Sequence, residues 1–153
     1  MKHDHAQVIA PPPILYAAAF LLGLYLDSWV PLRLIPRGPR SLIGGILLGT
    51  ATATAAMAAR EMRNADTPVQ PTRPTAAIVQ SGPYHFTRNP IYVSFTLAYT
   101  GLALLANRIW PLLLLPLLLK IMRVGVIERE EDYLEAKFGT EYLTYKENIP
   151  RWF

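Results

Sequence analysis

"PIYVSFTLAYTGLALLANRIWPLLLLPLLLKIMRVGVI", residues 90–127, decides the fold. Two apolar runs stand almost back to back, separated only by Asn107 and Arg108. At about 1.5 Å per residue, each helical run reaches most of the way across a hydrocarbon layer of about 30 Å. Two such runs joined by two residues predict a tight antiparallel hairpin, with spans at about 90–106 and 109–124. Pro111 and Pro116 are expected to bend the second span, which membrane helices tolerate when neighbours satisfy the freed carbonyls.

Two further apolar segments precede this hairpin. Residues 13–32 end in Asp27 and Trp29, the aromatic lying where a membrane interface favours it. Residues 41–59 are rich in Gly, Ala and Thr, and Gly45, Gly49 and Ala53 are spaced to let a neighbouring helix come close. With 52% apolar and only 17% charged residues in 153, the chain reads as one membrane domain, 1–153. The fold class is all-α: an integral membrane bundle of about four transmembrane helices with a cytoplasmic C-terminal helical tail. "MKHDHAQVIAPPP" lacks the features of a cleaved signal, so the first span is expected to be retained behind a frayed N-terminus.

Charge orients the bundle. With both termini in the cytoplasm, eleven Lys and Arg lie inside and four (Arg33, Arg37, Arg40, Arg108) outside. The loop 61–89 and the tail 124–153 then share the inner face. The formal charge of +4 is spread between apolar runs, which favours a membrane over nucleic acid. There is no cysteine, and His3, His5 and His85 lack metal-site spacing, so no metal is expected.

Chemistry concentrates where the loop enters the third span, "SGPYHFTRNPIYVSF", 81–95. Asn89 followed by Pro90 reads as an N-cap and first helical proline. The positive end of that helix, with Arg88 beside it, suits an anion. The plainer alternative has Arg88 reaching lipid phosphate and the tyrosines forming an interfacial belt. In the tail, Ile121, Val124, Ile127, Leu134 and Phe138 form an apolar stripe that includes Glu131. A carboxylate there needs a partner, either for structure or for function. Gly139 ends that helix, and Tyr142, Tyr145, Trp152 and Phe153 either line a site or anchor the tail in lipid.

Taken together, "GPYHFTRNPIY" and "EREEDYLEAKFGTEYLTYKENIPRW" resemble the isoprenylcysteine carboxyl methyltransferase family, itself similar to phospholipid methyltransferases. The resemblance covers about residues 67–152. It implies a membrane methyltransferase using S-adenosyl-L-methionine, its site built from segments 76–92 and 126–151. Carried over by position, Ala76, Ala77, Ile78, Val79, Tyr84, Asn89, Pro90, Ile91, Tyr92 and Glu130 bind the cofactor, and Arg88 and Glu131 are the expected catalytic pair. The family's usual histidine is Asn89 here. Val126 stands where the eukaryotic enzymes carry a substrate-binding arginine, which argues against a prenylcysteine. The expected acceptor is a lipophilic or small amphiphilic molecule, the surroundings membrane lipid, and the location a prokaryotic inner membrane. Two other classes compete: a sterol-reductase-like membrane oxidoreductase using a nicotinamide, and a non-catalytic membrane scaffold.

Overall fold

A computed structural model describes residues 5–33, 37–70 and 73–152. His3, Arg37's side chain and Phe153 fall outside the described part. Among the described residues the regular structure is all helical: α1 (Pro12–Trp29), α2 (Arg37–Asn64), α3 (Pro90–Ala106), α4 (Ile109–Met122), α5 (Glu128–Phe138) and α6 (Thr140–Asn148). A 3-10 turn, Gly82–His85, precedes α3, and a π-turn, Arg123–Ile127, joins α4 to α5. The molecule is an all-α membrane bundle.

Helix lengths explain where the bundle leaves the apolar layer. Gly38–Asn64 and the continuous helix Ile109–Phe138 are apolar and long enough to cross it. The second, with 30 residues, spans about 45 Å, so α5 projects beyond a core of about 30 Å. α1 and α3, with 18 and 17 residues, lie at the short end of the crossing range. α1 stops at Trp29, ahead of Pro31, whose ring disfavours helix in the residue before it. α2 runs beyond the expected 41–59 at both ends. Pro111 falls in the first turn of α4, where few intrahelical bonds are lost, and α4 continues through Pro116.

α2 lies along α3, and α1 along α4. The close approach of α2 to α3 uses Gly44 and Gly101, not the expected Gly45 and Gly49. A Cβ on Gly101 would sit 2.9 Å from the Gly44 carbonyl, whereas Gly45 and Gly49 have open space. Ala53 is also exposed, while Ala51 and Ala58 are buried. The main core gathers Tyr16, Tyr92, Tyr99, Leu118, Met122, Val126 and Ile127, with Phe20, Phe95 and Trp152 against them. Its buried hydroxyls are satisfied: Tyr16 pairs with Thr96 at 2.8 Å, and Tyr99 donates to the Pro111 carbonyl at 2.7 Å.

The π-turn corrects the expected stripe. Met122 and Ile127, five residues apart, are both fully buried, which is the spacing of a π-turn rather than of an α-helix. Ile121 and Val124, placed in the stripe at α-helical spacing, are exposed instead. Beyond the turn, Ile127 and Glu131 resume the inward face.

At the end where α1 stops and α4 begins, Asp27 is buried and takes Arg33 at 2.9 Å, Arg108, and the Leu32 amide at 3.3 Å. Arg40 donates to the Leu105 carbonyl at 2.9 Å, satisfying an acceptor that the last turn of α3 leaves open. At the opposite end, the loop after α2, the 3-10 turn, α5, α6 and the C-terminal residues fold onto one another. The N-terminal residues 5–11, expected to fray, dock there as well: Ile9 N donates to the Gly125 carbonyl at 3.0 Å and Arg129 to that of Gln7 at 2.8 Å.

Candidate functional site

The first turn of α3 forms the floor of this end. Asn89 occupies the N-cap position, but its side chain makes no cap; it donates to the Arg151 carbonyl at 3.1 Å. The capping expected from Asn-Pro is therefore replaced by a tie to the C-terminal segment. Two more ties run alongside: Arg88 N to the Pro150 carbonyl at 3.0 Å, and the Thr87 hydroxyl to that of Arg151 at 2.9 Å.

The loop following α2 supplies one wall. Buried Thr67 accepts the Ala77 amide at 2.9 Å, and the Thr75 amide donates to the Tyr133 hydroxyl at 3.3 Å. Val79 packs with Ala58 and Tyr84. Gly82 turns the chain into the 3-10 helix at φ 58°, and a Cβ there would meet the Glu61 side chain at 2.9 Å. Glu61 also accepts from the Ser81 hydroxyl. α6 closes the next side, with Tyr145 donating to the Tyr84 carbonyl at 2.8 Å.

Between these walls lies a cavity holding about 890 Å³ of free space, its open mouth included. Of the residues expected from sequence, Ala77, Ile78, Val79, Tyr84, Arg88, Asn89, Pro90, Ile91, Tyr92, Glu130 and Glu131 all line it. Ala76 does not; it is exposed. Tyr142 and Tyr145, left open between site and lipid, are buried and line the cavity, while Trp152 packs on the core.

The two carboxylates have different surroundings. Glu130 accepts the Tyr92 hydroxyl at 2.7 Å. Burial pushes its carboxyl up to about 7, against the lowering effect of that bond, and the charge of Glu131 adds to the rise. Glu131, 5% exposed, is gripped by Arg151 through two bonds of 2.9 and 2.7 Å and by Arg88 at 3.1 Å. Bonding to Glu131 holds the Arg151 guanidinium further in its charged form. Arg88 also reaches the Tyr142 hydroxyl at 3.3 Å, while its Nε is buried with no partner among the described residues. Burial raises the hydroxyls of Tyr84 and Tyr145, and pushes Tyr142 up to about 12, so all three stay neutral near pH 7.

Sequence reading missed the partner of Glu131 and several of the walls. Arg151 was visible as a tail cation, and the need of Glu131 for a partner was the signal that could have found it. Ala6, Met62 and Tyr133 also line the cavity. Nothing in the local pattern marks Ala6 or Met62, which arrive from other elements, whereas Tyr133 lies on α5 within the expected segment 126–151 without having been singled out.

A family model for phospholipid methyltransferase matches residues 39–141, extending the likeness back through α2. An uncharacterized protein of Haemophilus influenzae is 62% identical over 26 residues, which are 17% of this chain and 41% of that protein. No solved structure matches. The family model takes in α2 to α5, with both the mouth of α3 and the acidic pair on α5, and the chain belongs to the phospholipid methyltransferase family.

Proposed function

We propose that this member of a membrane methyltransferase family uses S-adenosyl-L-methionine and methylates a lipophilic or small amphiphilic acceptor. The observation that carries the proposal is the bond between Tyr92 and Glu130. It joins the mouth of the third helix to the acidic segment after the fourth, making one chamber of two distant stretches of sequence.

The residues present fit such a donor. Arg88 has a buried guanidinium nitrogen without a partner among the described residues, a donor available to an anionic group. Glu130 offers acceptor oxygens to an ammonium or to ribose hydroxyls. Tyr84 and Tyr92 add aromatic faces suited to a cation. The backbone of Ala77–Val79 and Asn89–Ile91 completes the walls, with Ala76 at their exposed edge. Bound there, S-adenosyl-L-methionine supplies an electrophilic sulfonium methyl. Tyr92 orients Glu130, and the neutral hydroxyls of Tyr142 and Tyr145 bring no competing charge. Arg88 contacts the anionic group, and Glu131, both of whose oxygens are engaged, acts as a positioning residue for Arg88. Displacement at a methyl needs alignment more than proton transfer, which suits a site built of hydrogen-bonded walls.

The cavity is proposed to face the cytoplasm of a prokaryotic cell, with both termini on that side. The excess of Lys and Arg supports this. So does the fate of three cations at the other end, where Arg33 and Arg108 serve Asp27 and Arg40 serves backbone carbonyls.

Calorimetric titration of the detergent-solubilised chain with S-adenosyl-L-methionine, and separately with NADPH, tests the proposal. Donor binding that disappears in both Glu130→Ala and Tyr92→Ala is expected. A chain that binds NADPH, or neither compound, would overturn it.

A further inference from the structure

The N-terminal strap, residues 5–11, adds a wall to the cavity that no helix provides. Ala6 is 3% exposed and lines the chamber. The Val8 amide turns back to the Ala6 carbonyl at 3.0 Å, and the Val8 side chain packs against the main core. Among the described residues, Arg129 donates to the Gln7 carbonyl at 2.8 Å and the Ile9 amide to the Gly125 carbonyl at 3.0 Å, fastening the strap to the long helix. Gly125 lies inside the π-turn. A Cβ there would come within 2.8 Å of Ile9 Cγ1, so any larger residue would push the Ile9 side chain out of its present seat.

We propose, on the footing that this cavity holds the methyl donor, that Ala6–Ile9 is a movable wall of it. Ala6 sets the size of ligand admitted, and the Gly125 carbonyl in the π-turn is the dock. The strap is not helical and does not share the helices' continuous backbone ladder, so it opens at lower cost than the bundle around it. A small side chain at position 6 leaves the chamber its depth; a larger one would occupy space the donor needs. The π-turn thus has a local purpose: it presents a carbonyl and a notch to the strap at the level of the cavity.

The test measures S-adenosyl-L-methionine affinity of the full chain by calorimetry for wild type, Ala6→Leu, Ile9→Pro and the double variant. Ala6→Leu is expected to weaken binding by about tenfold, the scale of a small steric change in a fitted pocket. Ile9→Pro removes the docking amide, so Ala6→Leu is expected to have no further effect in that background. Equal affinity of Ala6→Leu and wild type, or the same loss in both backgrounds, overturns the wall. Hydrogen exchange on the unmodified chain gives a second readout: the Ile9 amide is expected to slow several-fold on donor binding, and an unchanged rate overturns the proposal. A wild-type chain that binds no donor removes the cavity's assignment and the wall with it. A wild type that binds, with unaffected variants, removes the wall alone.

Discussion

The Tyr92 hydroxyl donates to Glu130 Oε1 over 2.7 Å, although 38 residues separate the two in the chain. One sits on the first turn of α3, the other on the first turn of α5. Hydrogen bonds to charged groups contribute about 1.5–3 kcal/mol. Tyr92→Phe is therefore expected to weaken donor binding by about tenfold or more at pH 7, measured by calorimetry, with little change of fold by circular dichroism. An affinity equal to wild type would show that the orientation of Glu130 does not matter.

Glu130 should give donor affinity and stability opposite pH dependences. Its carboxyl is raised from 4.5 to about 7 in the folded chain, chiefly by burial. The folded state then holds a proton that the unfolded state has lost, so this group's contribution to stability is full below 4.5 and lost as pH rises through about 7. A ligand bound by the ionised carboxylate gains affinity over the upper part of the same interval. Melting temperature should fall from pH 5 to pH 8 while donor affinity rises, and Glu130→Gln should flatten both trends. Parallel trends in wild type would contradict the assignment.

Glu131 answers to two arginines, and its removal leaves buried Arg88 without its carboxylate and half-buried Arg151 with Glu128 at 3.6 Å. Breaking such a pair by deleting one member costs about 3–5 kcal/mol. Glu131→Ala should lower thermal stability by that order, whereas Arg151→Lys, which keeps the charge but not the paired bonds, should cost less. Thermal unfolding in detergent measures both. Equal, small effects would mean that the cluster is solvated.

Packing of α2 on α3 separates two glycines that look alike in sequence. Gly101→Ala places a methyl 2.9 Å from the Gly44 carbonyl and should destabilise by about 1–3 kcal/mol, the usual cost of overpacking. Gly45→Ala meets nothing within 4 Å and should be neutral or slightly stabilising. Unfolding measurements that rank the two the other way would refute the observed face.

Much of the site could be read from the chain because its chemistry is local. Asn89-Pro90 announces a helix start, and Glu130-Glu131 sits on a helix whose end Gly139 marks. Phase was harder to see. The π-turn adds a residue to one turn, so Ile127 keeps its expected inward place while Met122 takes the place expected of Ile121 and Val124, and no apolar periodicity predicts that shift. Partners distant in sequence were equally hidden: Asn89 is claimed by the Arg151 carbonyl instead of its own helix, and Ala6 reaches the cavity from a segment that looked frayed. Gly44 and Gly45 differ by one position, and only the rotation of α2 against α3 decides which of them touches.

Asp27 is translated long before one of its partners: Arg108 follows 81 residues later. Among the described residues, the first helix has Arg33 as the near charged partner of its acid, and the second comes from the α3–α4 hairpin. One carboxylate at the far end of the bundle ties the last hairpin to the first helix, and so steadies the frame that carries the chamber at the other end.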